Sequence, residues 1–152
     1  MCPAKVYSKL LRLYNHTGEY IMENYTFRLK SAQDLFDSIE SFARENQIEA
    51  GCVLSGIGSL THFTVRLADR EIPTEYEGHF EIVSLAGTVS IHGSHLHISA
   101  SDSEGKTIGG HLVSGSKIYT TAEIVLASFT DTIYKREFAA DSGYEELVVY
   151  KR

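Results

Sequence analysis

From residue 50 onward, apolar side chains recur at every second position and glycines punctuate them: AGCVLSGIGSL, THFTVRLAD, HFEIVSLAGTVSI, SHLHISAS, KTIGGHLV, KIYTTAEIVLAS, DTIYKREF and EELVVYK. Successive side chains on a strand point to opposite faces, so this period of two marks strands with one buried and one solvated face. Turn residues separate the segments at roughly ten-residue intervals, the spacing of a largely antiparallel sheet. One stretch breaks the pattern. In SAQDLFDSIESFARENQ, Leu35, Phe36, Ile39, Phe42 and Ala43 fall at helical spacing, which predicts an amphipathic helix over residues 32–45. Ser31 reads as its N-cap, with Asp34 three residues on as an acidic variant of the capping box. Before it, NYTFRL alternates like a strand and YNHTG reads as a turn-rich break. Residues 1–23 are therefore expected to be an appended strand or arm, and 24–152 the domain. The fold class expected is α+β: a curved, mainly antiparallel, barrel-like sheet carrying one main amphipathic helix.

The pair Gly56 and Gly58 invites a dinucleotide-binding reading, but that fingerprint needs a third glycine at position 61 and a helix after it. Thr61 stands there and a strand pattern follows. A tight strand-to-strand turn is the expectation.

Composition narrows the class of protein. The 152 residues suit one domain with a real core. At 43% hydrophobic and 22% charged they are ordinary for a globular chain. No apolar run approaches the roughly 18 residues of a membrane span, and the first twenty residues lack the layout of a signal peptide, so no membrane partner and a cytoplasmic location are expected. Cys2 and Cys52 then read as free thiols, and the sequons at Asn15 and Asn24 as coincidental. The net charge is −6, whereas duplex-binding proteins carry a clustered basic footprint that displaces counterions. The densest basic group, Lys135 and Arg136 with Lys151 and Arg152, reads as a solvated strand edge.

The candidate chemistry lies in GSHLHISASDSEGKTIGGHL, which holds three of the seven histidines. Alternation puts His95 and His97 on one side of their strand and Leu96, Ile98 and Ala100 on the other. A hairpin centred on Glu104, with Gly105 supplying a positive φ, sets His97 opposite His111. A slip of one residue would bury the histidines and expose the aliphatics, so the burial term selects this register. Opposed side chains sit about 4.5–5.5 Å apart at Cβ, close enough for three imidazoles to share a zinc ion with an open fourth position. Gly109 and Gly110 would allow close approach or mark a bulge that re-aims His111. Glu123 has the parity of a partner or acid/base for that face if a hairpin turns at 113–117, although simple pairing sets it nearer Thr107; Glu81 and Asp102 are further acid/base candidates. His16, His62, His79 and His92 belong to no visible constellation.

These motifs, VLSGIGSL, GHFEIVSLAGTVS, HLHISASDSEGKTIGGHLVSG, TTAEIV and the DSGYEEL tail, resemble in order the PPC (plants and prokaryotes conserved) domain family, over roughly residues 25–147. The resemblance implies an α+β fold, homotrimers, and a metal, zinc, at His95, His97 and His111. It also implies a fold similar to acetolactate decarboxylase, a zinc enzyme. Stand-alone bacterial members carry a DNA-binding label, and plant members place the domain after a basic AT-hook. This chain has no RGRP-like segment, and His79 stands in GHFEI where relatives often have arginine. Two function classes follow. One is a trimeric zinc-binding scaffold whose partner is a small molecule, a protein or, with weaker support, DNA. The other is a zinc-dependent enzyme acting on a small carbonyl or hydroxy-acid substrate.

Overall fold

The computed structural model describes residues 13, 14, 16, 18 and 20–152. The elements run β1 (Leu13–Tyr14), β2 (Tyr20–Lys30), α1 (Leu35–Glu45), β3 (Gly51–Arg66), β4 (Thr74–Val89), β5 (His95–Ser101), β6 (Thr107–Leu112), β7 (Lys117–Phe129), β8 (Thr132–Ala139) and β9 (Tyr144–Lys151). The fold is α+β, with one helix against a curved antiparallel sheet in the order β1-β2-β7-β3-β4-β5-β6. β8 and β9 form a separate two-stranded hairpin. Most of the arm expected over residues 1–23, Cys2 included, lies outside the described residues; of that segment β1 is seen pairing with β2.

The strand that organises the sheet is β3. It pairs along one edge with β4, and along the other with β7 and then, at Val65 and Arg66, with β6. Two expected strands, AGCVLSGIGSL and THFTVRLAD, are thus one continuous strand, and the tight turn expected at Gly56 to Gly58 is not formed. Gly58 instead sits in a register shift at φ +139, where a Cβ would lie 2.2 Å from the carbonyl oxygen of Thr121. The glycine serves close approach of β7, and irregularities of this kind bend a strand. The hairpin expected between β6 and β7 is also absent: both strands pair with β3 rather than with each other.

The helix starts later than the expected residue 32, and its N-cap is Asp34, not Ser31. The cause is non-local. Ala32 has φ +69, and the backbone of 32–35 pairs with 116–118 through Ala32 N–H to Ile118 O, Ile118 N–H to Gln33 O and Leu35 N–H to Ser116 O. The positive φ of Ala32 and the extended pairing of the residues after it delay helical geometry until Leu35, whose first-turn N–H has no intrahelical acceptor and bonds Ser116 O. Asp34 is 8% exposed. One of its oxygens accepts from Asp37 N–H at 3.1 Å, and the other accepts from Gly115 N–H at 2.7 Å and the Lys117 ammonium at 3.2 Å. It therefore caps the helix and fastens it to the loop before β7.

The apolar face of α1, with Leu35, Ile39, Phe42 and Ala43 all buried, packs on the inner face of the sheet. Phe42 stacks on Phe27 of β2 at 4.1 Å between ring centroids. Leu96, Ile98 and Ala100 of β5 and Leu112 of β6 complete that core. Each such leucine, isoleucine or phenylalanine contributes about 1.5–3 kcal/mol when removed from water, and the alanines less. Burial of these aliphatic positions leaves the alternate positions of β5 and β6 facing outward. Asp34→Ala is expected to destabilise the fold by about 2 kcal/mol, because a cap is lost and buried donors lose their acceptor; Asp34→Asn should cost less. Urea unfolding checks this, and an unchanged midpoint in Asp34→Ala would contradict the account.

Candidate metal centre

The β5–β6 hairpin turns as its sequence suggests. Asp102 Oδ1 accepts from Glu104 N–H and Lys106 N–H, both at 2.9 Å, and Gly105 takes φ +82. The register is His97 with His111, Ile98 with Gly110, Ser99 with Gly109, Ala100 with Ile108 and Ser101 with Thr107. Because the ladder is unbroken, Gly109 and Gly110 do not form a bulge. They give close approach instead: a Cβ at Gly109 would lie 2.8 Å from Ser99 Oγ, and one at Gly110 would lie 2.8 Å from Arg66 O. Any side chain there would push β5 or β3 away from β6.

Three imidazoles meet on the outer face of the hairpin. Ring centroids are 5.0 Å apart for His95 and His97, 4.8 Å for His95 and His111, and 5.6 Å for His97 and His111. His95 Nε2 and His97 Nε2 approach to 3.0 Å, a contact in which one ring donates and the other accepts. One ligand nitrogen from each ring lies within 4.8 Å of the others, a group able to hold a metal ion. His111 Nδ1 is buried and has no hydrogen-bond partner among the described residues. A buried polar atom left unpaired is rare in a native fold and asks for an explanation.

Burial is the largest influence on the protonation of His111 and pushes its pKa down to about 4, with the positive charges of His95, Arg66, His97 and Arg136 acting the same way. His95 is also held below the ordinary histidine range, by burial first and then by His97 and Arg136; Glu146 opposes the shift. Neutral imidazole is the form that can donate a lone pair to a metal.

Several charged groups in this surround carried no sequence signal. Arg66, at the end of β3, is the cross-strand partner of His111. Arg136 of β8 donates to Thr88 Oγ1 at 2.8 Å, and Thr88 is the cross-strand partner of His95. Together with Glu146 of β9, these arginines line a cavity of about 980 Å³ that opens on His95 and His111. Local periodicity could not reveal them, since Arg66 reaches the site through the closure of β3 on β6, and Arg136 and Glu146 through a separate hairpin.

Glu123, the expected carboxylate, lies on β7 opposite Arg28 of β2 and Ile57 of β3, and it does not line the cavity. Its parity argument assumed a β6–β7 hairpin that does not form. Glu81 lies on β4 opposite Ser59 and Ser101, and Asp102 is occupied in the turn. Among the other histidines, His79 stacks on Tyr119 at 4.1 Å, His62 Nδ1 contacts Thr61 Oγ1 at 3.0 Å, His16 is exposed, and His92 joins the cavity wall. Cys52 is a free thiol whose pKa burial raises. In the basic group, Lys151 pairs with Asp131, Arg152 pairs with Glu49, and Lys135 lies over the Tyr150 ring. No helix of the described residues is long and apolar enough to cross a membrane.

A histidine whose folded pKa is depressed contributes stability above its unfolded value near 6.5, and that contribution is lost as pH falls toward the folded value of about 4. The metal-free protein should therefore lose stability across that window. Ring NMR titration should show His111 protonating near pH 4; a midpoint near 6.5 would contradict the buried, cationic setting described.

Comparison with known proteins gives a consistent family. The model of the Plants and Prokaryotes Conserved (PCC) domain matches residues 16–130. The bifunctional protein GlmU of Synechococcus sp. (strain JA-3-3Ab) is 43% identical over 127 residues, which are 84% of this chain and 20% of that protein. The chain thus spans about a fifth of that curated relative's length. A hypothetical protein from Salmonella cholerae-suis has a similar structure at TM-score 0.84 and 36% identity, covering 86% of this chain and 95% of that one. A metal-containing protein from Archaeoglobus fulgidus shares the fold at TM-score 0.75 and 24% identity, covering 91% and 98%. The chain belongs to the Plants and Prokaryotes Conserved (PCC) domain family.

Proposed function

We propose that this PCC-domain chain is a metal-binding module in which His95, His97 and His111 hold a zinc ion. The observation that carries the reading is the convergence of three imidazoles, one with a buried and unpaired nitrogen. Three neutral nitrogen donors with room for a further ligand suit zinc. The likeness to an Archaeoglobus protein described as metal-containing supports it. When bound, zinc would supply a Lewis-acid centre able to polarise a carbonyl or lower the pKa of a water. The chain's own contribution is to hold three rings converging by the β5–β6 register, with His95 and His111 biased toward the neutral form.

A second reading, a zinc-dependent enzyme for a small carbonyl or hydroxy acid, is favoured by the cavity that opens on the histidines and by Glu146, whose charge acts on His95. In that reading Glu146, which lines the cavity, exchanges protons with the bound molecule, while the sequence candidates Glu123, Glu81 and Asp102 lie outside the cavity. The two readings separate by consequence: loss of a structural ion unfolds or dissociates the protein, whereas loss of a catalytic ion leaves it intact.

Residues 24–152 are read as the domain and 1–23 as its arm. The module is read as a homotrimer, as the family resemblance implies; Leu54 and Ile57 of β3, Val83 of β4 and Tyr119 of β7, exposed on three adjacent strands, support association without fixing the copy number. An apolar patch of that kind marks an association surface. DNA is the less favoured partner, given the net charge of −6 and the pairing of Lys151 with Asp131 and Arg152 with Glu49. Duplex binding that persists at moderate salt would overturn that ranking.

Elemental analysis of the purified protein is expected to find about one zinc per chain, and none in His97→Ala. Equal metal in both, or none in either after zinc is offered, would overturn the metal reading. Light scattering is expected to give three times the 16.9 kDa chain mass, with Ile57→Glu shifting the protein toward monomer. A monomer mass for the unmodified protein would contradict the assembly.

A further inference from the structure

We propose that the cavity beside the three histidines is an oxyanion site, in which Arg66 and Arg136 grip the carboxylate or phosphate of a small molecule whose other end reaches the imidazole cluster. The inference deepens the metal-centre reading, and rests on it for that second point of contact.

The arginines flank the cluster from two sides. Arg66 is directly opposite His111 across β3 and β6, so its side chain leaves the sheet on the same face. Arg136 is anchored on Thr88, the cross-strand partner of His95. Both are half-buried, and neither has a carboxylate partner among the described residues; Arg66 makes no side-chain hydrogen bond there either. A guanidinium that cannot be neutralised and is partly withdrawn from water needs a counter-charge. Asp69, Glu71, Glu145 and Glu146 also line the cavity, but all four are exposed, where water and salt screen them. Arg66 and Arg136 are therefore less exposed than the acidic side chains of the cavity and than Arg70, the third arginine that lines it.

The shape of the site fits the same ligand class. A cavity of about 980 Å³ is in the size range of small-molecule sites. Two guanidinium forks match the planar or tetrahedral oxygens of a carboxylate or phosphate through charge-assisted, paired hydrogen bonds. His95 and His111 line the same cavity as both arginines, so an anion held by either arginine would present its remaining atoms to those two rings of the cluster.

The test uses the full chain, unmodified and as Arg66→Met, Arg136→Met and Arg66→Lys, with metal content measured on every preparation. Pyruvate and inorganic phosphate are titrated separately by calorimetry at constant ionic strength in chloride; the stronger binder tells carboxylate from phosphate. Saturable binding of at least one probe is expected, weakened roughly tenfold or more in each Met variant and less in Arg66→Lys, with metal content unchanged. Unmodified affinity in both Met variants, or no saturable binding of either probe, would overturn the inference. If the Met variants fail to fold, Arg66→Lys decides, since the proposal requires weaker binding when the fork is replaced by a point charge. Metal present with arginine-independent binding sinks the oxyanion site and leaves the metal reading standing. Arginine-dependent binding in a protein that takes up no metal supports the oxyanion site and sinks the metal reading.

Discussion

The bend of β3 is the constraint on which the site depends. A straight strand would pair with β4 and β7 and leave β6 hanging as a free edge. The register shifts around Gly58 and Leu60 turn the end of β3, so that Val65 and Arg66 meet Leu112 and His111. That meeting buries Leu112 in the core and sets an arginine beside a histidine on the opposite face. The glycines of β6 follow from the same closure: Gly110 passes against the Arg66 carbonyl and Gly109 against Ser99, leaving no room for a Cβ at either. Side chains at these positions would strain the fold and move His111 away from its two neighbours together, which ties stability to site geometry.

Electrostatics then acts on the assembled cluster. Burial disfavours protonation of His95 and His111, and the neighbouring imidazoles and arginines add to the effect. His95 and His111 are thereby kept as lone-pair donors near neutral pH, while the two arginines add positive potential to the cavity wall. An anion held by the arginines would offset their positive charge and that of a cation held by the neighbouring histidines. This coupling gives the scaffold and enzyme readings one physical basis.

How much was legible in the sequence depends on how local each interaction is. The pairing of His97 with His111 could be read from alternation and one turn, because a slip would have exposed Leu96 and Ile98. The amphipathic face of α1 was legible for the same reason. Its start was not: Ser31 and Asp34 both satisfy the local capping pattern, and the ladder to residues 116–118 decides between them. Glu123 was drawn toward the site by assuming that β6 and β7 pair with each other, when both pair with β3. Arg66 and Arg136 were invisible because nothing in their own segments says which strand end or hairpin will lie beside the histidines.

The central claim is that His95, His97 and His111 together form the metal centre. The most direct measurement is anomalous diffraction across the zinc absorption edge, from crystals of protein grown with zinc supplied. The account predicts one strong anomalous peak per chain, within bonding distance of all three imidazoles. A peak elsewhere, or three ordered rings with no peak between them, would contradict it.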